Sequence, residues 1–371
     1  MACGHDRICT ALLCYGLHDS SGTLLKTAPL APKTRQIRLR CAAALLLVTA
    51  LAACGPLGEL ISPTAPAVSA EWSGLLTDLR EFERSIGFRT TANFGDTAND
   101  QASFPFCGHA PRLLLPWSYE DPAIVWSDTD NEADCRKRAG DNDIFFRHLE
   151  ARGESATPVT AAMLAGKLDR FVYLVIHEDC HDQFELPYGI EETVCDFLTH
   201  QAMIAFARAK YSAGSREQRS IVRYAESQAA MSLATIDVYR KIEALYARHQ
   251  RGELSAEALL LERQAIYAAS ERPLGFTAGA LNNVSLASNM TYSRYYPQVE
   301  EAFAANGRDL ARTVAFFRKI DAARPSSATV QKQQRIEDVR SVEFLRAYEN
   351  AVIGAMRAAL RSAGAESARK L

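Results

Sequence analysis

Residues 168–183 read LDRFVYLVIHEDCHDQ, and the fold follows from how such a segment has to be packed. A helix over Leu168–Gln183 is apolar on every side through its centre, Phe171–Ile176. It therefore cannot lie on a surface and needs other elements all round it. Its second half carries His177-Glu178-Asp179-Cys180-His181, the spacing HExxH. Residues four apart leave the same face of a helix, so both imidazoles reach one metal ion. Glu178, beside the first histidine, is placed to act as general base on a water that the metal activates. In an apolar helix such polar groups require partners or a metal.

The next segment offers the partners. After the turn Glu185-Leu186-Pro187-Tyr188-Gly189, a second helix is expected from about Glu191 to Tyr211. An antiparallel return brings its first turn alongside the histidines. Glu192 and Asp196 share a face; Glu192, in preference to Glu191, is the expected third ligand, and Asp196 is expected to accept an N–H of a ligating histidine. The plainer alternative is that Glu191 and Glu192 suit the positive end of a helix dipole.

Working outward, nearly everything beyond residue 157 has helical spacing. A helix start is expected at Thr157-Pro158, and further helices at about Arg216–Gln250, Ser255–Ser270, Ala280–Asn306, Arg308–Ala323 and Ile336–Ser362. The last of these, with Val342, Leu345, Val352 and Met356 on one stripe, reads as core or a helix–helix seam. Upstream, residues 71–86 place Trp72, Leu75, Leu79 and Phe82 on one helix face. From 87 to 150 the pattern changes, with Pro105, Pro111, Pro116 and Pro122, two β-like runs (Arg112–Trp117 and Ala123–Trp126) and a charged loop over Asp128–Asp143. The expected class is mainly α: a helical domain over 151–371 preceded by a small β-containing mixed subdomain over 71–150.

Composition narrows the function. The chain has 371 residues, 48% hydrophobic and 23% charged, with a formal net charge of −2. That is too apolar for disorder, and it lacks the basic excess of a nucleic-acid binder. No apolar run of membrane-spanning length occurs beyond the N-terminal region. There, Lys33, Arg35, Arg38 and Arg40 precede an apolar stretch, Cys41–Ala53, ending in Leu51-Ala52-Ala53-Cys54. This basic-then-apolar pattern is a secretory signal and looks like a bacterial lipoprotein signal over 1–54, with Cys54 the lipidated residue. Residues 55–70, rich in Pro, Gly and Ser, read as a tether. The expectation is an exported protein, lipid-anchored to the cell envelope. Gly55 after the cysteine, in place of the aspartate of inner-membrane retention, tilts this toward the outer membrane.

Of nine cysteines, four follow Cys54: Cys107, Cys135, Cys180 and Cys195. Four allow three disulfide connectivities, of which Cys107–Cys135 with Cys180–Cys195 is preferred. The alternative for Cys180 and Cys195 is a pair of buried thiols on neighbouring helices. His200, two turns past Glu192, reads as a surface or supporting residue; Arg216–Arg223 reads as a solvated face.

HEDCH followed by GIEETVCD resembles the gluzincin branch of zinc metallopeptidases, in which HExxH is completed by a glutamate on the next helix. The gap from His181 to Glu192 is shorter than in thermolysin-like enzymes. That gap and the run Glu192-x-x-Cys195-Asp196-Phe197 are closer to a family of bacterial aminopeptidases, many with lipoprotein signals. A second stretch is similar to the same family: Leu281-Asn282-Asn283, then Leu286, Tyr292 and Pro297, then Gly307-Arg308-Asp309-Leu310. The likeness covers about residues 165–320.

The resemblance implies a zincin-like helical domain holding one zinc per chain through His177, His181 and Glu192. It implies peptide or unfolded-protein substrates, Glu178 as general base, Tyr292 at the oxyanion, and Asn282 and Asn283 on the substrate backbone. An aminopeptidase also needs an acid for the substrate's free amine, and Glu191 or a loop carboxylate is the candidate; an endopeptidase fits the metal site equally. The rival class is a non-catalytic envelope lipoprotein that keeps a metal for stability, against which stands the general base, which a structural site does not need.

Overall fold

The computed structural model of the protein describes residues 68–97, 103–129, 131–151 and 156–369. The signal region 1–54, Cys54 and nearly all of the tether 55–70 lie outside them. Residues Pro63–Leu371 cluster as one compact unit. Its first helix, α1 (Ala70–Ser85), begins at Ser69, whose hydroxyl accepts the Trp72 N–H, and buries Leu75 and Leu79.

The β-containing region differs from its sequence reading. Its three strands are β1 (Phe104–Ala110), β2 (Val125–Ser127) and, after helix α2 (Glu132–Ala139), β3 (Asp143–Leu149). They form an antiparallel sheet in the order β2-β1-β3, with Cys107 opposite Ser127 on one side and Phe146 on the other. Gly108 pairs with Trp126, whose indole lies where a Cβ at 108 would stand. The expected charged loop 128–143 contains α2. Asn131 caps Asp134 N–H at 2.9 Å, acids open the helix and Arg136, Lys137 and Arg138 close it. These charges suit a helix dipole, and buried Cys135 ties α2 to β1 through a disulfide to Cys107.

The expected strand Arg112–Trp117 is a loop, and the reason is where its carbonyls point. Arg112 C=O accepts from Tyr246 Oη (2.5 Å) and Arg263 Nη1 (3.0 Å), Leu114 C=O from Asn283 Nδ2 (2.6 Å), and Pro116 C=O from Tyr239 Oη (3.0 Å). Side chains from distant helices take the place of a strand partner.

Helices build the rest, so the protein is mainly α. They are α3 (Ala161–Ala165), α4 (Leu168–His181), α5 (Tyr188–Lys210), α6 (Arg216–Gln250), α7 (Ala256–Ser270), α8 (Asn283–Ser293), α9 (Tyr296–Ala305), α10 (Leu310–Ala323), α11 (Ser327–Gln334) and α12 (Val342–Arg369). The expected start at Thr157-Pro158 lies outside any helix, with Val159 bridged to Thr97, and Thr160 caps α3 instead. The single helix expected over Ala280–Asn306 is two, α8 capped by Asn282 and α9 opening with Pro297 in its first turn. Proline lacks the N–H and disfavours a helical residue before it, so the chain breaks there.

Helix α4 is buried as its composition requires: Phe171, Val172, Leu174, Val175 and Ile176 are all at most 3% exposed. It packs on α5 and α6, with α1 on another side. Helix α6, 35 residues long, packs along α4, α5, α7 and α8. The sheet rests on α8, where Val284 joins Ala110, Ile124 and Phe145 in a second apolar cluster. Cys180 and Cys195, both fully buried, form a disulfide that ties α4 to α5. No helix of the described residues is long and apolar enough to cross a membrane.

Candidate metal centre

Helix α4 ends at His181, six residues turn the chain, and α5 begins at Tyr188. The antiparallel return lays the first turn of α5 against the last turn of α4. It brings His177, His181 and Glu192 together, with one donor atom from each within 4.8 Å of the others. His177 Nε2 and His181 Nε2 are 3.2 Å apart. Glu192 Oε2 stands 3.3 Å from the first and 3.4 Å from the second, and it is buried without hydrogen-bond geometry to either.

This triangle is the test of fit. A tetrahedral ion with ligands at about 2.0–2.2 Å needs donor atoms about 3.3–3.5 Å apart. The three edges, 3.2, 3.3 and 3.4 Å, are close to that length, and the carboxylate oxygen at the third corner has no hydrogen-bond partner. The electrostatics agree. Burial alone would lower His181, but the Glu192 and Glu191 carboxylates hold it well above its ordinary value. Burial would raise Glu192, yet the two histidines hold it far below the usual carboxylate range. The cluster is therefore a place that stabilises positive charge, which a divalent cation supplies.

The supporting residues are arranged differently from the sequence expectation. Asp196 is 3.7 Å from His177 Nδ1, too long for a hydrogen bond, and its Oδ1 accepts the Tyr173 hydroxyl at 2.5 Å. The role expected of Asp196 falls to Glu191, whose Oε1 is 3.0 Å from His181 Nδ1. That contact engages one carboxylate oxygen of Glu191, the candidate acid for a substrate amine. Two tyrosines complete the surroundings. Tyr173 stacks on His177 with ring centroids 5.2 Å apart, and burial and the Glu192 charge hold the Tyr188 phenol well above its ordinary value. Each stands four residues before the ligand it supports, a spacing that places both on one helix face and was there to be read in the sequence. His200 is fully buried, 3.0 Å from Tyr296 Oη and 3.9 Å from Asp196 Oδ1.

Glu178 adjoins the triad with its Oε2 buried and unpartnered. Burial raises its pKa, the two histidines pull it down, and Glu192 pushes it up again, for a net rise. Tyr292, on α8, has its ring centroid 6.1 Å from that of His177. Burial and the Glu192 charge keep its phenol protonated well beyond the ordinary range.

The side chains of Asn282 and Asn283 are bonded within the fold. Asn282 Oδ1 accepts the N–H groups of Val284 and Ser285 while Nδ2 donates to Ile144 C=O at 2.6 Å. Asn283 is wholly buried, with Oδ1 accepting from Tyr267 Oη and Nδ2 donating to Leu114 C=O, 2.5 and 2.6 Å away. The pair fastens the 111–117 loop and the sheet to α8.

The loop between β1 and β2 contributes a residue that the sequence did not single out. Half-buried Glu120 has its carboxyl pushed up to about 8 by burial and by the charges of Glu349 and Glu192. Its neighbour Tyr119 donates its backbone N–H to Thr291 Oγ1 at 2.9 Å and lies 6.0 Å, ring to ring, from Tyr188. Nothing local marks it: Glu120 is some 70 positions upstream of Glu192 and only the tertiary fold joins them.

Residues 150–333 match the model of a family described as "Putative aminopeptidase". The matched span contains all three residues of the triad, Glu178 and Tyr292. No curated protein and no solved structure matches the chain. The family likeness supports a peptidase-type function.

Proposed function

We propose that the protein is a zinc-dependent peptide-bond hydrolase of aminopeptidase type, with His177, His181 and Glu192 as the metal ligands. The observation that carries this reading is the triangle of Nε2, Nε2 and Oε2 atoms at 3.2–3.4 Å with an unpartnered Glu178 carboxylate next to it. A zinc ion bound there would lower the pKa of a water to about 7 and polarise a scissile carbonyl.

The chain's own residues do the rest. Glu178 Oε2 takes the proton from the attacking water and delivers it to the leaving amine; burial increases its hold on that proton. Glu191 fixes the ring orientation of His181 through Nδ1. Tyr173 holds Asp196 through its hydroxyl. Tyr292 keeps its phenolic proton and donates it as a hydrogen bond to the developing oxyanion. The leader pattern ending at Cys54 adds the proposal that the protein works at the cell envelope on a lipid anchor; a Cys54→Ala chain that still labels with fatty acid would refute it.

The test is metal content with a peptide-hydrolysis assay. About one zinc per chain is expected, lost in His181→Ala and Glu192→Ala, with hydrolysis falling at least about 100-fold in Glu178→Gln while zinc is retained. Bound zinc with no hydrolysis, unchanged by Glu178→Gln, would leave the non-catalytic envelope protein as the reading.

A further inference from the structure

We propose that the arginine-lined cavity between the end of α5 and the start of α6 binds the phosphates of anionic lipids and turns that end of the protein toward the membrane. The inference rests on the envelope reading above, to which it adds an orientation. The cavity, about 330 Å³, is walled by Arg208, Gln218, Arg219, Val222, Arg223 and Glu226. Its three arginines are exposed, and none of them makes an ion pair among the described residues. Residues 208–223 hold five basic side chains against one acid, in a chain whose net charge is −2. Of the five, only Lys210 has an acid partner, Asp78. Like charges gathered without counter-charges repel one another, so this part of the surface is set to take up an anion.

A charge run on a helix is ordinarily a solvated face; the construction and the place of this one set it apart. Gln218 Oε1 accepts Gly214 N–H at 2.8 Å, Ser215 Oγ accepts Gln218 N–H at 3.2 Å, and Arg219 donates to Gly214 C=O. The turn between the helices thus holds two of the cavity's walls. Ser220 Oγ donates to Asp169 Oδ2 at 2.7 Å, and Trp72 packs on Phe171 with ring centroids 4.5 Å apart. The first turns of α1, α4 and α6 therefore meet at one end of the helical bundle, beside the last turn of α5. His181 stands twelve residues after Asp169, about 18 Å further along α4. The metal centre and the arginine cavity accordingly occupy opposite ends of that helix.

The chain reaches α1 from the same end. The described residues begin at Val68, and the thirteen residues between it and Cys54 are at most about 45 Å of chain. An anchor at Cys54 keeps the arginine end within reach of the lipid surface and leaves the metal centre on the far side. The complement is chemically defined. A guanidinium is permanently charged and binds phosphate oxygens two at a time. Arg216, Arg219 and Arg223 fall at i, i+3 and i+7, so they share one face of α6 and carry the charge beyond the cavity. Such a row suits phosphates presented side by side on an anionic membrane, whose surface potential draws basic side chains within a Debye length.

The experiment uses the full Cys54→Ala chain, which carries no lipid of its own, and reads co-sedimentation with vesicles. Vesicles of phosphatidylglycerol and phosphatidylethanolamine supply the anionic surface; phosphatidylcholine vesicles measure what the apolar leader contributes by itself. Adding Arg208→Ala/Arg219→Ala/Arg223→Ala is expected to weaken binding to the anionic vesicles about 100-fold. Salt should weaken the parent in the same direction, and the melting temperature should not move, since the three side chains are exposed and unpaired. Taking the same charge from exposed positions elsewhere, Arg240→Ala/Arg272→Ala/Arg357→Ala, should change binding by less than about threefold. Equal binding by the parent and the cavity variant, or an equal loss in the control variant, overturns the assignment. So does arginine-dependent calorimetric binding of glycerol phosphate without arginine-dependent binding to vesicles, which reassigns the cavity to a soluble phosphate ester. Arginine-dependent vesicle binding in a protein whose Cys54 takes up no fatty acid supports the assignment, and the lipid anchor alone then fails.

Discussion

Replacing Cys180 and Cys195 by alanine cuts the covalent tie between the two helices that carry His177, His181 and Glu192. The bridge closes a loop of 15 residues. The chain-entropy relation then assigns it about 3 kcal/mol at 25 °C through restriction of the unfolded chain. Cys107–Cys135 closes 28 residues and is assigned about 3.6 kcal/mol by the same relation. The two bridges are thus a matched pair in stability, but only the first adjoins metal ligands: Cys180 precedes His181, and Cys195 follows Glu192 by three positions. Urea unfolding followed by circular dichroism, with and without zinc, and zinc affinity by chelator competition are the assays. Both double variants should lose about 3–4 kcal/mol. Only Cys180→Ala/Cys195→Ala should also bind zinc more weakly, by about tenfold, because opening α4 away from α5 separates the ligands. A loss below about 1 kcal/mol in the Cys180/Cys195 variant would refute the reasoning. So would an equal loss of zinc affinity in both variants.

Other perturbations test other parts of the structure. Glu191→Ala should weaken zinc binding about 10- to 100-fold by freeing the His181 ring, whereas Asp196→Asn should do much less; the same chelator competition reads both. Asn283→Ala removes the partner of Tyr267 Oη and Leu114 C=O in a wholly buried network. It should cost about 3 kcal/mol or more of stability with kcat/KM of the folded protein unchanged within about threefold; a selective rise in KM would restore a substrate role. Glu83, buried behind α4 beside Asp179, has its carboxyl raised well above the ordinary value by burial first and Asp179 next. The folded state therefore holds a proton that the unfolded chain has released. This contribution is fully present below the unfolded value of 4.5 and is lost as pH rises through the folded one. Glu83→Gln should flatten the alkaline side of the stability profile, and a parallel profile for wild type and variant would contradict the raised Glu83 carboxyl.

Some of this was local enough to read. Helix α6 occupies the predicted range Arg216–Gln250 because Ser215 caps it and its apolar stripe keeps one period throughout. The break inside the predicted 280–306 helix is equally local, announced by Pro297. The loop over Arg112–Trp117 was not legible, since its apolar run Leu113-Leu114-Leu115 resembles a strand and only the donors of Tyr239, Tyr246 and Asn283 decide otherwise. Strand β3, DIFFRHL, ends in charge and histidine and shows no clean alternation; it is a strand because β1 pairs with it.

The buried helix and the spacing of its ligands are written in local sequence. Helical periodicity is an intrinsic property of a short stretch of chain, so His177 and His181, Tyr173 and His177, Tyr188 and Glu192 share faces wherever the helix lies. Which neighbour serves which atom is instead a matter of packing. Whether Glu191 or Asp196 meets an imidazole depends on the angle and stagger at which α5 returns along α4, a difference of an ångström or two that no periodicity encodes. The approach of Glu120 depends on a loop pinned through Thr291 and Thr193, contacts that span more than 170 positions between Tyr119 and Thr291. Hydrogen bonds fall off within such distances, so the supporting residues of the centre are set by packing rather than by pattern.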